Sequence, residues 1–209
     1  MKSRILIVLV LMFFANLFYA KVILPQIFSE NMVLQRDIPL TVWGWADPGE
    51  KIEVKFNQQL LKVKADKKGN WKVVLAKELA GGPFELKVIG KKNVIQIKNV
   101  LVGEVWLCSG QSNMEWTVRQ SMNAQEVIQN ADNPMIRHIK VDRTISSIPV
   151  KDITETEWQV CESSTVGSFT GVGYFFAKVL YEKLKVPVGI INSSWGGSDR
   201  KSTRLNSSH

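Results

Sequence analysis

Two short stretches rich in serine and glycine are the parts of this 209-residue chain best suited to chemistry. Residues 109–116 read Ser-Gly-Gln-Ser-Asn-Met-Glu-Trp, and residues 193–198 read Ser-Ser-Trp-Gly-Gly-Ser. Ser112 stands in a tight turn beside Gly110, a setting in which a serine oxygen can come within about 3 Å of an attacked carbonyl. The Gly196 and Gly197 pair lets backbone N–H groups approach a ligand closely and stabilise negative charge as it develops.

Local spacing alone leaves the role of Ser112 open. The stretch is not a Gly-x-Ser-x-Gly elbow, because Met114 stands where the second glycine would be. An ordinary turn serine is therefore the competing interpretation. Neither histidine of the chain offers a clear base: His138 falls in a predicted strand, where a structural or surface role is expected, and His209 ends a stretch that reads as foreign.

Both stretches follow predicted buried strands of a parallel sheet. Residues 101–109 and 188–192 are mostly apolar, as expected for strands covered on both faces. A strand, a helix and a second strand in this order form a βαβ unit, whose parallel strands end at the edge of the sheet where ligand sites collect. The other elements predicted in this half are a helix at 121–131, a strand at 136–141, a loop at 144–160 and a helix from 169 to 184.

The first half of the chain has the pattern of a different structure. Apolar and polar residues alternate with a period of two in five short runs, which is the signal of half-buried strands. Turn-forming residues separate the runs, so we predict an antiparallel β-sandwich over 21–100, with Trp43, Trp45 and Trp71 in its core. The five runs lie at 40–45, 51–56, 61–65, 71–75 and 84–89.

The N-terminus has the pattern of an export signal. Lys2 and Arg4 precede an apolar run over 5–15, and apolar residues resume at 17–20. A short basic stretch with an apolar core of this length predicts a signal peptide over 1–20, and the run is shorter than the roughly 20 residues that span a bilayer. An uncleaved anchor is the alternative. In either case the protein is expected to be secreted or periplasmic, with no membrane segment once the leader is cleaved.

The net charge of +8 does not indicate a polyanionic partner. Residues 21–100 carry 14 basic and 8 acidic side chains, whereas residues 101–198 carry 8 basic and 10 acidic ones. No dense basic run is interleaved with aromatic residues, so no nucleic-acid partner is expected. Two Cys and two His exclude a four-Cys metal site, and no metal or cofactor is expected. Cys108 and Cys161 either pair in an oxidising compartment or remain two buried thiols.

Residues 101–116 closely resemble the first block of the sialate O-acetylesterase family, within the SGNH-type hydrolases. They read Leu-Val-Gly-Glu-Val-Trp-Leu-Cys-Ser-Gly-Gln-Ser-Asn-Met-Glu-Trp. The resemblance covers roughly residues 22–198, and its other blocks lie at 27–36, 169–177 and 186–197. It implies an α/β protein in which the sandwich precedes the first part of a three-layer αβα SGNH-hydrolase domain, over 101–198.

The resemblance also implies a function. The protein would be an exported serine esterase that removes O-acetyl groups from sialic acid or a related acetylated carbohydrate, through an acetyl-serine intermediate. Ser112 would be the nucleophile, and the N–H groups of Ser112, Gly197 and Gly196 would form the oxyanion hole. A non-catalytic glycan-binding or surface-adhesion protein that uses the sandwich is the alternative. The residues expected to contact substrate are Gln111, Asn113 and Trp195; Trp116 and Trp158 would either stack on a sugar or pack in the core.

The sequence departs from the family near its end. Family members continue with a Gln-Gly-Glu-Ser-Asn-like block and an Asp-x-x-His pair that activates the serine, and neither is present here. Residues 199–209 read as a foreign or artefactual tail. The chain is therefore expected to be a truncated and inactive fragment. Glu115 has no His to orient and receives no role.

Overall fold

The alternating runs of the first half form strands close to the predicted positions. The computed structural model describes residues 21–153 and 156–197, so the predicted leader, Ser198 and the predicted tail with His209 lie outside the described residues. The strands are β1 (Val33–Gln35), β2 (Leu40–Trp45), β3 (Lys51–Phe56), β4 (Gln59–Lys64), β5 (Asn70–Leu75) and β6 (Gly81–Ile89).

The second half alternates strands with helices, which confirms the predicted α/β class. The strands are β7 (Val94–Gly110), β8 (Asp132–Lys140), β9 (Gln159–Glu162) and β10 (Val188–Ser194). The helices are α1 (Ser112–Glu115), α2 (Ala124–Gln129) and α3 (Gly171–Leu184), with 3₁₀ turns at Val118–Gln120 and Val166–Ser168. The helix predicted at 121–131 is thus shorter, β8 begins earlier than predicted, and β9 begins in a segment expected to be a loop.

Strand β7 links the two halves of the chain. Its first part pairs antiparallel with β6, and its second part pairs parallel with β10. The main sheet has the order β4-β3-β6-β7-β10-β8-β9, with β1 added against β7. The predicted domain boundary at residue 100 therefore falls inside one continuous strand, and the division of the chain into domains stays a prediction.

Two apolar cores hold these elements together. In the first, β2 and β5 form a small sheet whose inward side chains, such as Val42 and Leu75, pack with Val54 and Phe56 of β3. In the second, α3 covers one face of β8 and β10. Burial of apolar surface contributes about 25 cal/mol per Å² to folding, so these two cores supply the main favourable term. The predicted sandwich and three-layer arrangement stay predictions.

Not all of the tryptophans predicted for the first core lie in it. Trp71 is buried, but Trp43 is 40% exposed and packs edge-on against Phe28 with a ring-centroid distance of 4.7 Å. Successive strand residues face opposite sides, and Gly44 takes the inward position next to Trp43. A Cβ on Gly44 would lie 2.1 Å from the Ile23 carbonyl oxygen, so the passing chain leaves no room for a side chain. The prediction for Trp43 is therefore wrong.

Helix α3 has a defined start and end. The Thr170 hydroxyl accepts the Gly173 N–H at its beginning, and Lys185 ends it in the left-handed conformation before Pro187. Its outer face exposes apolar side chains beside β7, where Trp106 and Phe176 meet edge-on with centroids 5.0 Å apart. Across the two described stretches, no helix combines the length and apolar content needed to cross a membrane.

Candidate active site

Ser112 lies just beyond the carboxyl end of β7, as the first residue of α1. Gly110 has a φ of 148°, a conformation that side chains disfavour, and it lets the backbone leave the strand abruptly. The Ser112 side chain is exposed, and its carbonyl accepts the Trp116 N–H at 3.0 Å. The buried Thr170 hydroxyl donates to the Met114 carbonyl at 2.6 Å. The turn bearing the serine is thereby fixed to the start of α3.

The second predicted stretch lies directly beside the first, because β10 runs parallel to β7 in register. Ser194 is the pairing partner of Gly110, and the Trp195 N–H donates to the Gly110 carbonyl at 2.9 Å. A Cβ built on Gly196 would lie 3.6 Å from the Ser112 Cα atom. The structure thus brings the predicted serine and the predicted glycine pair together at one edge of the sheet.

Glu115 joins the two turns. Its Oε2 accepts the Gly196 N–H at 2.9 Å, and its Oε1 forms an ion pair with Arg143, which follows β8. The Arg143 guanidinium lies 5.8 Å from the centre of the Trp195 ring. Because the Gly196 N–H is engaged by a carboxylate, it does not point freely into the site as an oxyanion donor. Gly197 has a φ of 78°, and no atom of the described residues lies within 4 Å of a Cβ placed there, so it is the remaining glycine candidate.

The residues predicted to contact substrate surround the serine. Gln111 and Asn113 flank Ser112 and are exposed, whereas Trp195 is half-buried beneath the guanidinium of Arg143. Their position allows contact with a ligand at Ser112, but their roles stay predictions. The same is true of Ser112 as nucleophile and of Gly197 as oxyanion donor.

The two other tryptophans near the site in sequence, Trp116 and Trp158, differ in their exposure. Trp116 is 53% exposed and its indole N–H donates to the Gln120 carbonyl at 2.8 Å, so the interpretation that it stacks on a sugar stays a prediction. Trp158 is 3% exposed and its indole N–H donates to the Ile27 carbonyl at 2.9 Å. Trp158 is therefore a core residue, and the interpretation that it stacks on a sugar is wrong.

His138 is not placed to serve as the base. It is 2% exposed, stacks on Phe169 with ring centroids 4.5 Å apart, and its Nε2 accepts the Thr170 N–H at 3.4 Å. Burial, with a smaller contribution from the charge of Lys140, lowers the pKa of His138 to about 3. Because the ring is neutral and its Nε2 already accepts a hydrogen bond, His138 has a structural role, which is one of the two roles expected from the sequence.

The two cysteines are buried and unpaired. Burial raises the pKa of Cys108 and of Cys161. Of the two alternatives left open by the sequence, the structure contains the pair of thiols. In the described part of the chain, no group of three His, Cys, Asp or Glu side chains is arranged to hold a metal ion.

Sequence reasoning missed Glu115 and Arg143. Glu115 lies three residues after Ser112, one helical turn away, and this spacing was the only local signal. Arg143 reaches the site because β8 lies next to β10 in the sheet. That neighbour relationship depends on strand order, which a local pattern does not contain.

The fold, with a serine at the end of a central strand, is similar to that of a solved carbohydrate acetylesterase. The chain matches the crystal structure of a carbohydrate acetylesterase from Xanthomonas citri with a TM-score of 0.85 and 41% identity, over 90% of this chain and 44% of that one. No family model matches the sequence.

More particularly, the chain is a homologue of sialate O-acetylesterases, as the sequence suggested. It is 34% identical over 190 residues to the sialate O-acetylesterase of Pongo abelii, covering 81% of this chain and 36% of that protein. It is 36% identical over 186 residues to the enzyme of Mus musculus, covering 80% of this chain and 34% of that protein. The chain spans about a third of the length of these curated relatives.

Proposed function

We propose that this chain carries the nucleophile-bearing part of an exported serine esterase that removes O-acetyl groups from carbohydrates, with sialic acid as the first candidate. The observation that carries the proposal is the meeting of Ser112 with the Gly196–Gly197 turn at the carboxyl edge of two parallel strands. The names of the relatives, sialate O-acetylesterase and carbohydrate acetylesterase, support an acetylated sugar as the substrate class.

The reaction assigned to the site is acyl transfer in two steps. The Ser112 oxygen attacks the acetyl carbonyl carbon and its hydroxyl gives up a proton. The bond from that carbon to the sugar oxygen then breaks, and the sugar oxygen takes up a proton as the sugar leaves as an alcohol. Water then attacks acetyl-Ser112 and releases acetate and the free serine. In both steps the N–H groups of Ser112 and Gly197 stabilise the negative oxygen of the tetrahedral intermediate.

A serine hydroxyl is a weak nucleophile without a base, and His138 is buried and already hydrogen-bonded. We therefore propose that the base and its acidic partner come from further residues of a longer polypeptide, and that the 209-residue chain is inactive alone. The fraction of the relatives that the chain covers supports this proposal. The exposed apolar contact of Trp106 with Phe176 supports it too, because large uncovered apolar patches mark surfaces that pack against something.

Export is proposed from the sequence of residues 1–20 alone. A basic start followed by an apolar core directs a protein to the secretory route. We accordingly propose that the mature protein lies in the periplasm or outside the cell. N-terminal sequencing of the exported protein, with cleavage after Ala20, tests this placement.

A glycan-binding function without catalysis has weaker support. A groove of about 1020 Å³ lies on the N-terminal half, lined by lysines of β3 and β4 and by Ile52 and Ile89. None of its lining residues is aromatic, whereas rings that stack on a sugar supply much of the contact area in such sites. The groove therefore does not favour a carbohydrate module over an esterase.

Acetate release tests the proposed function. We expect a longer product of the same gene to deacetylate O-acetylated sialic acid, Ser112→Ala to abolish turnover, and Ser109→Ala to retain it. Ser109 is the matched control because it is also exposed, three residues earlier at the end of β7. Turnover that survives Ser112→Ala would overturn the proposal.

A further inference from the structure

We propose that Glu115 is a positioning residue of this site: its carboxylate holds the Gly196–Gly197 turn against the Ser112 turn and thereby sets the direction of the Gly197 N–H. The inference rests on the proposed function, because it names what aligns the oxyanion donor of the acyl-transfer reaction. Glu115 contacts neither substrate nor the reacting atoms in this role.

The turn after β10 is held at two consecutive backbone positions. The Trp195 N–H donates to the Gly110 carbonyl and the Gly196 N–H donates to Glu115 Oε2, each at 2.9 Å. The Gly196 N–H lies in the peptide plane that precedes Gly196. With this plane fixed, the direction of the Gly197 N–H depends only on the two backbone dihedral angles of Gly196. Gly197 has a φ of 78°, and no atom of the described residues lies within 4 Å of a Cβ built there.

The carboxylate and the nucleophile belong to one rigid unit. Glu115 and Ser112 lie in the same helical turn, in which the Glu115 N–H donates to the Gln111 carbonyl at 3.0 Å. The contact with Gly196 therefore fixes the Gly196–Gly197 turn relative to Ser112 itself. Misplacement of a catalytic group by 1 Å can cost about 100-fold in rate, so a contact of this kind acts on catalysis without touching the substrate.

Arg143, in the segment that follows β8, forms an ion pair with Oε1 of Glu115, so the two oxygens of the carboxylate face different partners. The Arg143 side chain is 45% exposed, so the ion pair itself adds little stability, whereas a hydrogen bond from an N–H to a charged oxygen is stronger than one to a neutral acceptor. Glu115 consequently draws together the ends of β7, β8 and β10.

The same contacts argue against Glu115 as the acidic member of a catalytic triad. Both of its oxygens are engaged, one by a backbone N–H and one by a guanidinium. The one histidine of the described residues, His138, is buried and receives the Thr170 N–H. Glu115 therefore acts on the oxyanion side of the site and not on a base.

Backbone amides of the 209-residue chain provide a readout that needs no activity. The chain has 14 glycines, so selective ¹⁵N-glycine labelling gives a spectrum in which Gly196 and Gly197 can be assigned by substituting each in turn. For Glu115→Ala we expect both amide signals to shift and the exchange of the Gly196 amide to accelerate about 10-fold or more. Glu126→Ala, an exposed glutamate on α2, is the control and should leave both signals unchanged.

Glu115→Gln is the conservative variant. It keeps an acceptor oxygen, so we expect it to retain the folded spectrum with an intermediate shift of Gly196 and exchange only about 3-fold faster. If Glu115→Ala does not fold, Glu115→Gln tests the positioning role of Glu115. Gly196 and Gly197 amides that remain as in the wild type in every folded Glu115 variant would overturn the proposal.

Kinetics of the longer, active polypeptide supply the second readout. A displaced oxyanion donor weakens transition-state binding, so we expect Glu115→Ala to lower kcat about 10- to 100-fold with KM within about 3-fold of wild type, and Glu115→Gln to restore part of kcat. An unchanged kcat overturns the positioning role. Turnover that survives Ser112→Ala overturns the assignment of Ser112 as the nucleophile instead, and the amide signals then still report on the contact between Glu115 and Gly196.

Discussion

Glu115 accepts the backbone N–H of Gly196 at 2.9 Å, although the two residues are 81 positions apart in the sequence. The contact crosses from the turn after β7 to the turn after β10, and the parallel pairing of these strands makes it possible. One side chain therefore ties the residue expected to attack the substrate to the residues expected to stabilise the resulting charge.

Alanine substitutions at the two adjacent glycines should have different effects. A Cβ on Gly196 would lie 2.6 Å from Glu115 Oε2, so Gly196→Ala should displace the carboxylate and shift the Gly197 amide signal as Glu115→Ala does. Gly197→Ala meets no atom of the described residues within 4 Å but places a side chain at a φ of 78°, which costs about 1–2 kcal/mol of stability. Amide spectra and urea denaturation measure both effects. Identical spectra for Gly196→Ala and wild type would contradict the assignment of the contact.

The Thr170 hydroxyl should stabilise both α3 and the serine turn. It accepts the Gly173 N–H and donates to the Met114 carbonyl, so Thr170→Val removes both bonds from a fully buried position. We expect a loss of about 1–2 kcal/mol in the free energy of unfolding, measured by urea denaturation. Thr170→Ser keeps the hydroxyl and should lose less than half as much. A loss for Thr170→Ser as large as that for Thr170→Val would contradict a dominant role of the hydroxyl.

His138 should make folding sensitive to mild acid. Its pKa falls from 6.5 to about 3 on burial, so below pH 6.5 the unfolded chain binds a proton that the folded protein does not. The stability is full above pH 6.5 and is lost progressively as the pH falls toward about 3. Between pH 7.5 and pH 5 the wild type should lose about 2 kcal/mol more than His138→Gln, as measured by denaturation at each pH. Parallel pH dependence in the two proteins would contradict this placement.

The two thiols should be protected by the fold and not by a disulfide. Cys108 and Cys161 are buried, and burial raises the pKa of each, so little reactive thiolate is present near neutral pH. Without reductant, iodoacetamide should modify neither residue in the folded protein and both after unfolding in guanidinium chloride. Intact mass measures the number of adducts. Unfolded protein that accepts adducts only after reduction would demonstrate a disulfide.

The strands of the first half were predictable because alternation is a local property. The same reasoning missed the first part of β7, where the strand passes through Asn99 in a left-handed conformation with a φ of 54°. It also placed Trp43 in the core, whereas the inward position beside it is occupied by Gly44.

The candidate site was predictable in part. Ser112 and the Gly196–Gly197 pair could be placed together, because parallel strands end at the same edge of a sheet. The contact from Glu115 to Gly196 and the arrival of Arg143 could not, because they depend on which strands are neighbours and in what register. Those are properties of the whole sheet.

Labelling with a fluorophosphonate tests the central claim most directly, because the reagent bonds to an activated serine without requiring the natural substrate. The reaction is carried out on a longer product of the same gene, with Ser112→Ala and Ser109→Ala in parallel, and the modified residue is identified by peptide mass spectrometry. We predict one adduct on Ser112, its loss in Ser112→Ala and its retention in Ser109→Ala. Labelling that persists at another residue in Ser112→Ala, with acetate release unchanged, would contradict the assignment of Ser112 as the nucleophile.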